Sequence, residues 1–127
     1  MVKELVEVME LFHDADDDSA VLERLCQLVR DRLSAATVSL VTESGEALAV
    51  SGRRSTSPSA TAARSRATGQ LVPPCLCDAG LDASAPVHYG GTTLAVICCR
   101  WPPDGSPDWP RASALMTTAA AASSSAS

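Results

Sequence analysis

The thiols and cations between positions 26 and 99 carry most of the reactive chemistry in this chain. Cys75 and Cys77 stand one residue apart, directly after Pro73 and Pro74. Two thiols at that spacing on a proline-anchored loop can form a redox pair or present two ligands to a soft metal. Two ligands do not make a metal centre, since zinc and iron–sulfur sites ordinarily take four. His88 and Cys99 do not complete the set. If His88 pairs near Thr93, Cys99 lies about six residues farther along the strand, roughly 20 Å away at 3.3 Å per residue. No metal and no cofactor is expected. Cys98 and Cys99, as neighbours in a strand, point to opposite faces and read as small apolar core residues, and Cys26 on a helix stripe reads the same way. The anion-binding candidates are the arginines at 53, 54, 64 and 66, whose planar forks suit carboxylate or phosphate. The residues proposed to touch a small ligand are therefore Arg53, Arg64, Arg66, Cys75, Cys77 and His88. Their plainer roles are solvated loop arginines, ordinary loop thiols and a hydrogen-bonded hairpin histidine.

Several elements must position these groups. Residues 85–101, APVHYGGTTLAVICCRW, read as one hairpin closed by Gly90 and Gly91, glycine supplying the positive φ of a two-residue primed turn. With Tyr89 opposite Thr92, strict alternation places Val87, Tyr89, Leu94, Val96 and Cys98 on one face. His88, Thr93, Ala95, Ile97 and Cys99 then share the other. The second arm is apolar on both faces and needs a cover on each. Val2, Leu5, Met9 and Phe12 form the stripe of a first helix ending near residue 13. Leu22, Leu25, Cys26, Val29 and Leu33 form that of a second, capped by Asp18 or Ser19 and ending near residue 34. Residues 37–42 and 47–51 read as a hairpin, and residues 58–68 as a short helix closed by Gly69. Residues 70–72 read as a brief strand stopped by the two prolines, followed by a loop holding Cys75 and Cys77. Residues 109–122 read as an Ala-rich last helix, with residues 123–127 as a disordered polar tail.

The order predicts an α+β fold in one domain, residues 1–122: an antiparallel sheet with the N- and C-terminal helices on one face and the short helix plus loops on the other. The formal net charge of −5 and the pI near 4.8 exclude nucleic acid and anionic membrane as direct partners. No segment approaches the roughly 20 apolar residues of a membrane span, and the start is an acidic helical pattern rather than a signal peptide. Five cysteines at irregular spacing read as thiols, and the expected location is the cytoplasm. The last helix offers only Leu115 and Met116 as bulk to cover the first, so Val2, Leu5, Met9, Phe12, Leu115 and Met116 are candidates for a homodimer interface, with an intramolecular bundle as the alternative.

This order of elements resembles a GAF domain, the sensor module of cyclic-nucleotide phosphodiesterases, phytochromes and bacterial signalling regulators. The residues that carry the resemblance are TVSLVTESGEALAVSG at 37–52 and APVHYGGTTLAVICCRW at 85–101. Ala95 stands where many members have glycine. The chain contains no asparagine, so the Asn-Lys-Phe-Asp-Glu signature of cyclic-nucleotide binders is absent, and no Cys-His pair matches bilin attachment. The resemblance implies a GAF/PAS-like sandwich that is non-catalytic, binds an unknown small molecule or serves dimerisation alone, and is either linked to an output domain in a longer protein or a stand-alone partner of one. Neither a P-loop nor a kinase or helix-turn-helix signature occurs in the chain. Free methionine-(R)-sulfoxide reductases share the fold, and Cys77-Asp78-Ala79 ahead of Pro86 is faintly similar to their segment. That resemblance implies an enzyme with Cys77 as nucleophile and Cys75 as resolving thiol.

Overall fold

The computed structural model describes residues 18–42, 47–52, 60–77, 80–89 and 92–126, and the expected first helix lies outside them. The elements are α1 (Asp18–Leu33), β1 (Thr37–Thr42), β2 (Ala47–Gly52), α2 (Ala60–Thr68), β3 (Val72–Cys77), β4 (Gly80–Tyr89), β5 (Thr92–Trp101) and α3 (Trp109–Ala126). The strands form one antiparallel sheet in the order β2-β1-β5-β4-β3. The chain is thus α+β, with α1 and α3 on one face of the sheet and α2 on the other.

The apolar stripe of α1 packs Leu25, Cys26 and Val29 against Val38, Leu40, Ala83, Ala85, Ile97 and Cys99 of the sheet. From α3, Ala112, Leu115, Met116, Ala119 and Ala120 complete the same core. Alanine at so many contact positions lets the helix lie close to the strands, so a weakly amphipathic sequence still closes the layer. α1 ends where Ser34 enters the left-handed region, φ 52°, and Ala35 N donates to Arg30 O at 3.1 Å. This is the six-to-one hydrogen bond of a Schellman cap, a place where glycine is usual. Ser34→Gly removes the left-handed strain of an L-residue and partly offsets that gain by loosening the unfolded chain. The expected net effect is about 0.5 kcal/mol of added stability, read as a rise of about 2 °C in thermal midpoint.

Three sequence expectations change. Tyr89 does pair with Thr92 and His88 with Thr93, but Val87 then pairs with Ala95, a register shift that leaves Leu94 as the extra residue. Val87 consequently joins Ala95, Ile97 and Cys99 in the helix-side core, while His88 and Thr93 meet the C-terminal end of α2. Strict alternation fails because a bulge switches faces within one strand. Second, the strand expected to stop at Pro73 runs on to Cys77. It is an edge strand, and its ladder shifts register between Val72 and Cys75, so the two prolines cost no hydrogen bond that the sheet needs. The supposed loop beyond it is instead the first half of β4, which starts at Gly80 with φ 135°. A Cβ there would collide with the Trp101 carbonyl oxygen, so only glycine fits so close to the neighbouring strand. Third, α3 continues to Ala126 rather than giving way to a tail at 123, since the Ser/Ala sequence contains no helix breaker.

Candidate ligand-binding site

α2 lies across β4 and β5, and small residues hold it there. Thr61, Ala62 and Ser65 are buried on its inner side, and Ala62 packs directly on Val96 and Cys98. Thr61 Oγ1 and Ser84 Oγ share a hydrogen bond of 2.8 Å, and Ser65 Oγ donates to Gln70 O at 2.8 Å. The helix ends at Gly69, φ 66°, whose carbonyl oxygen lies 3.0 Å from His88 Nε2, while Thr93 Oγ1 lies 3.4 Å from Nδ1. His88 is exposed and pins the hairpin to the end of α2.

The same face of the sheet that carries Val96 and Cys98 also bears polar groups. Asp82 and Arg100 are cross-strand partners on β4 and β5. Arg100 Nε donates to Asp82 Oδ1 at 2.6 Å and its Nη2 to Oδ2 at 2.9 Å, a bidentate fork. Asp82 is 1% exposed and Arg100 9%. Register places Thr37 and Ser39 of β1 opposite Arg100 and Cys98, so hydroxyls continue the surface sideways. Such a set of donors and acceptors can orient a small polar molecule if α2 moves away, and it satisfies itself while α2 stays down.

Of the residues chosen from sequence, Arg53 lies outside the described residues, as does Arg54. Arg64 and Arg66 are on α2, Arg64 exposed and Arg66 half-buried. Cys75 is on β3 rather than a loop; its Sγ donates to Pro73 O at 3.4 Å and lies 3.9 Å from Arg64 Nη1. Cys77 ends β3 opposite Gly80. The fold therefore brings Arg64, Cys75 and His88 to one side of the sheet, around α2. Asp82 and Arg100 were missed. The available signal was an arginine inside a strand otherwise buried on both faces, which demands a buried carboxylate nearby.

The remaining thiols sit deep. Cys98 belongs to the small cluster under α2, and Cys26 and Cys99 to the core under α1. Burial, aided by Glu23, pushes the Cys26 thiol from its ordinary 9.0 up to about 12, and burial raises Cys99 well above 9.0. Above pH 9 the unfolded chain loses these protons while the native chain keeps them. Stability should thus fall as pH rises from about 9 towards 12, by up to about 1.4 kcal/mol per pH unit for each thiol. Urea midpoints at pH 8 and pH 10.5 check this, and Cys26→Ala should flatten the slope.

Comparison with solved structures places this architecture. The GAF domain of a phosphoenolpyruvate-protein phosphotransferase from Coxiella burnetii matches at a TM-score of 0.80 and 12% identity, over 98% of this chain and 90% of that one. The fold is that of a GAF domain. The corresponding GAF domain from Acinetobacter matches at 0.77 and 14% identity, over 98% and 90%. A free methionine-R-sulfoxide reductase from Neisseria meningitidis, solved with its substrate, matches at 0.78 and 11% identity, over 96% and 84%. By sequence, no family and no curated protein matches. The GAF fold is thus carried here by pattern and packing.

The dimer candidates divide. Val2, Leu5, Met9 and Phe12 lie outside the described residues. Leu115 and Met116 are both 0% exposed within the single chain, so their side chains are used up by its own core. In the single chain they pack with α1 and the sheet. Among the described residues no helix is long and apolar enough to cross a membrane.

Proposed function

We propose that this chain is a non-catalytic regulatory module of a bacterial signalling protein, in which α2 is a lid over a polar sheet surface that receives a small ligand. The observation that carries this reading is the contrast between the two faces of one sheet. One is closed by a continuous apolar core with α1 and α3. Among the described residues, the other is closed by Ala62 on Val96 and Cys98 and by the Thr61–Ser84 hydrogen bond. Among the described residues, lifting α2 uncovers Ala62, Val96 and Cys98 and returns the Thr61–Ser84 pair to water, a smaller apolar cluster than the one under α1 and α3. Arg64 and Arg66 on the lid, with Asp82, Ser84 and Arg100 below, supply groups of both signs for recognition. A ligand acts only if it binds the raised and lowered states of α2 with different affinity. The stripe Val2, Leu5, Met9 and Phe12 is proposed to form a homodimer that passes the change to a linked output domain. Hydrogen exchange on protein purified without tags tests the lid, and a native mass spectrum tests occupancy and stoichiometry. Amides of α2 should exchange well before those of β5 and α3. Equal protection throughout, with a bare monomer in the spectrum, would sink this reading.

A second reading is a thiol-dependent reductase, favoured by a partly exposed Cys75 beside Arg64 in a fold shared with the Neisseria meningitidis enzyme. Two thiols would reduce a sulfoxide to a thioether and water while becoming a disulfide. Against it, residues i and i+2 of a strand have Cα atoms about 6.6 Å apart, at the upper limit for a disulfide. Sulfoxide turnover lost in Cys75→Ala/Cys77→Ala would establish the enzyme; no turnover in the native protein leaves the sensor.

A further inference from the structure

We propose that the acidic N-terminal stretch of this chain, residues 4–17, docks on the outer face of its own α2 as a counter-charge strap. Charge is segregated along the sequence. Residues 1–17 hold six of the fifteen acidic residues and one of the ten basic ones, which accounts for the whole formal charge of −5. Residues 47–77 hold four arginines and no acidic residue. α2 lies inside that second stretch, with no acid in its first turn and Arg66 in its last. Its inner side carries the buried Thr61, Ala62 and Ser65, and on its outer face Ala63, Arg64, Ala67 and Thr68 are exposed. Arg64 Nη1 lies 3.9 Å from the Cys75 thiol, and among the described residues no carboxylate pairs with it. A guanidinium standing among small side chains is open to an approaching segment, and an acidic segment complements it.

Reach favours the chain's own stretch over that of a second copy. α1 ends beside Gly52 and Trp101, where Arg30 Nε approaches Gly52 and Leu33 O accepts from Trp101 Nε1 at 3.0 Å. α1 arrives at this end of the sheet and β1 leaves it, finishing at Thr42 opposite Ala95. The 16 residues of α1, about 24 Å long, therefore start towards the far end. α2 finishes at that far end, where Gly69 O meets His88 and Thr93 stands next to it. The start of α1 and the end of α2 thus share one end of the sheet on its two faces, about 20 Å apart across two layer spacings. With residues 2–13 as the expected helix, about 18 Å, and four linking residues at about 3.3 Å each, the stretch reaches about 30 Å. A tether that spans the gap gives an effective concentration in the millimolar range. At about 100° per residue, Glu4, Glu7, Glu10 and Asp14 fall opposite Val2, Leu5, Met9 and Phe12, so docking leaves the apolar stripe for its own partner. Docked, the strap neutralises cations of α2 and holds it against the sheet. Docking needs only charge and reach, whereas its effect on opening rests on α2 acting as the lid.

Zero-length carbodiimide coupling reads the contact directly. Lys3 is the chain's one lysine, so Arg64→Lys, which keeps the charge at an exposed position, adds a single side-chain amine on the α2 face. In the full chain at about 50 mM salt, that amine should couple to carboxylates among Glu4, Glu7, Glu10, Asp14, Asp16 and Asp17, as peptide mass spectra would map. In an equal mixture of isotope-labelled and unlabelled protein, the coupled peptides should come from one chain. Yield should fall about fivefold or more at about 500 mM salt, and by a similar factor in Glu4→Gln/Glu7→Gln/Glu10→Gln. Coupling confined to Asp78 or to other acids outside 4–17, coupling between labelled and unlabelled chains, or a yield indifferent to salt would overturn the proposal. The amides of α2 should exchange about threefold faster in the triple variant than in the native chain at low salt. Coupling as expected with α2 exchange unchanged upholds the docking and counts against the lid.

Discussion

Asp82→Ala is expected to destabilise the fold by about 3–5 kcal/mol, read as a lower urea midpoint with an unchanged slope. The substitution removes both acceptors of the Arg100 fork, at 2.6 and 2.9 Å, and leaves a guanidinium 9% exposed with its carboxylate gone. The cost is mainly that of a buried guanidinium deprived of its carboxylate, not the worth of the ion pair itself. For that reason Asp82→Leu combined with Arg100→Met should be far milder, near neutral, although it deletes more polar atoms. If the double variant is as unstable as the single one, the pair is not the cause and packing around β4 is. The double variant would keep the fold while stripping the surface under α2 of its charges. It therefore separates stability from recognition: under the lid hypothesis it folds and loses ligand response.

Leu115→Ala should cost about 2–5 kcal/mol. The side chain is fully buried, in a core where its neighbours on α3 are largely alanines that cannot expand into the space. Only Met116 beside it is flexible enough to relax inward, which sets the lower end of the range. The same variant tests where association comes from. Because Leu115 faces the interior of its own chain, sedimentation of the folded Leu115→Ala protein should show the native association state. Met9→Ala, by contrast, should weaken a dimer built on the N-terminal stripe. A dimer lost in Leu115→Ala at temperatures where the protein remains folded would show that α3 contributes directly.

The stripe of α1, the two hairpins and the doubly buried β5 were all legible in the sequence, since each is written in a local period or a turn residue. The spacing of Leu25, Cys26 and Val29 and the apolar run from Ala95 to Cys99 describe burial without reference to any partner. Tertiary structure decided three things that no local period contains. It placed Pro73 and Pro74 in an edge strand, where a missing N–H is harmless, so Cys75 became a strand residue beside Arg64. It shifted the register at Val87, so the side chains of one arm exchanged faces. And it joined Asp82 to Arg100 across 18 residues: the doubly buried strand signalled that Arg100 needs a carboxylate, but which one was settled by register. Local sequence sets which side chains seek burial; which ones meet depends on register and on strand order, and those are settled only when distant segments pack.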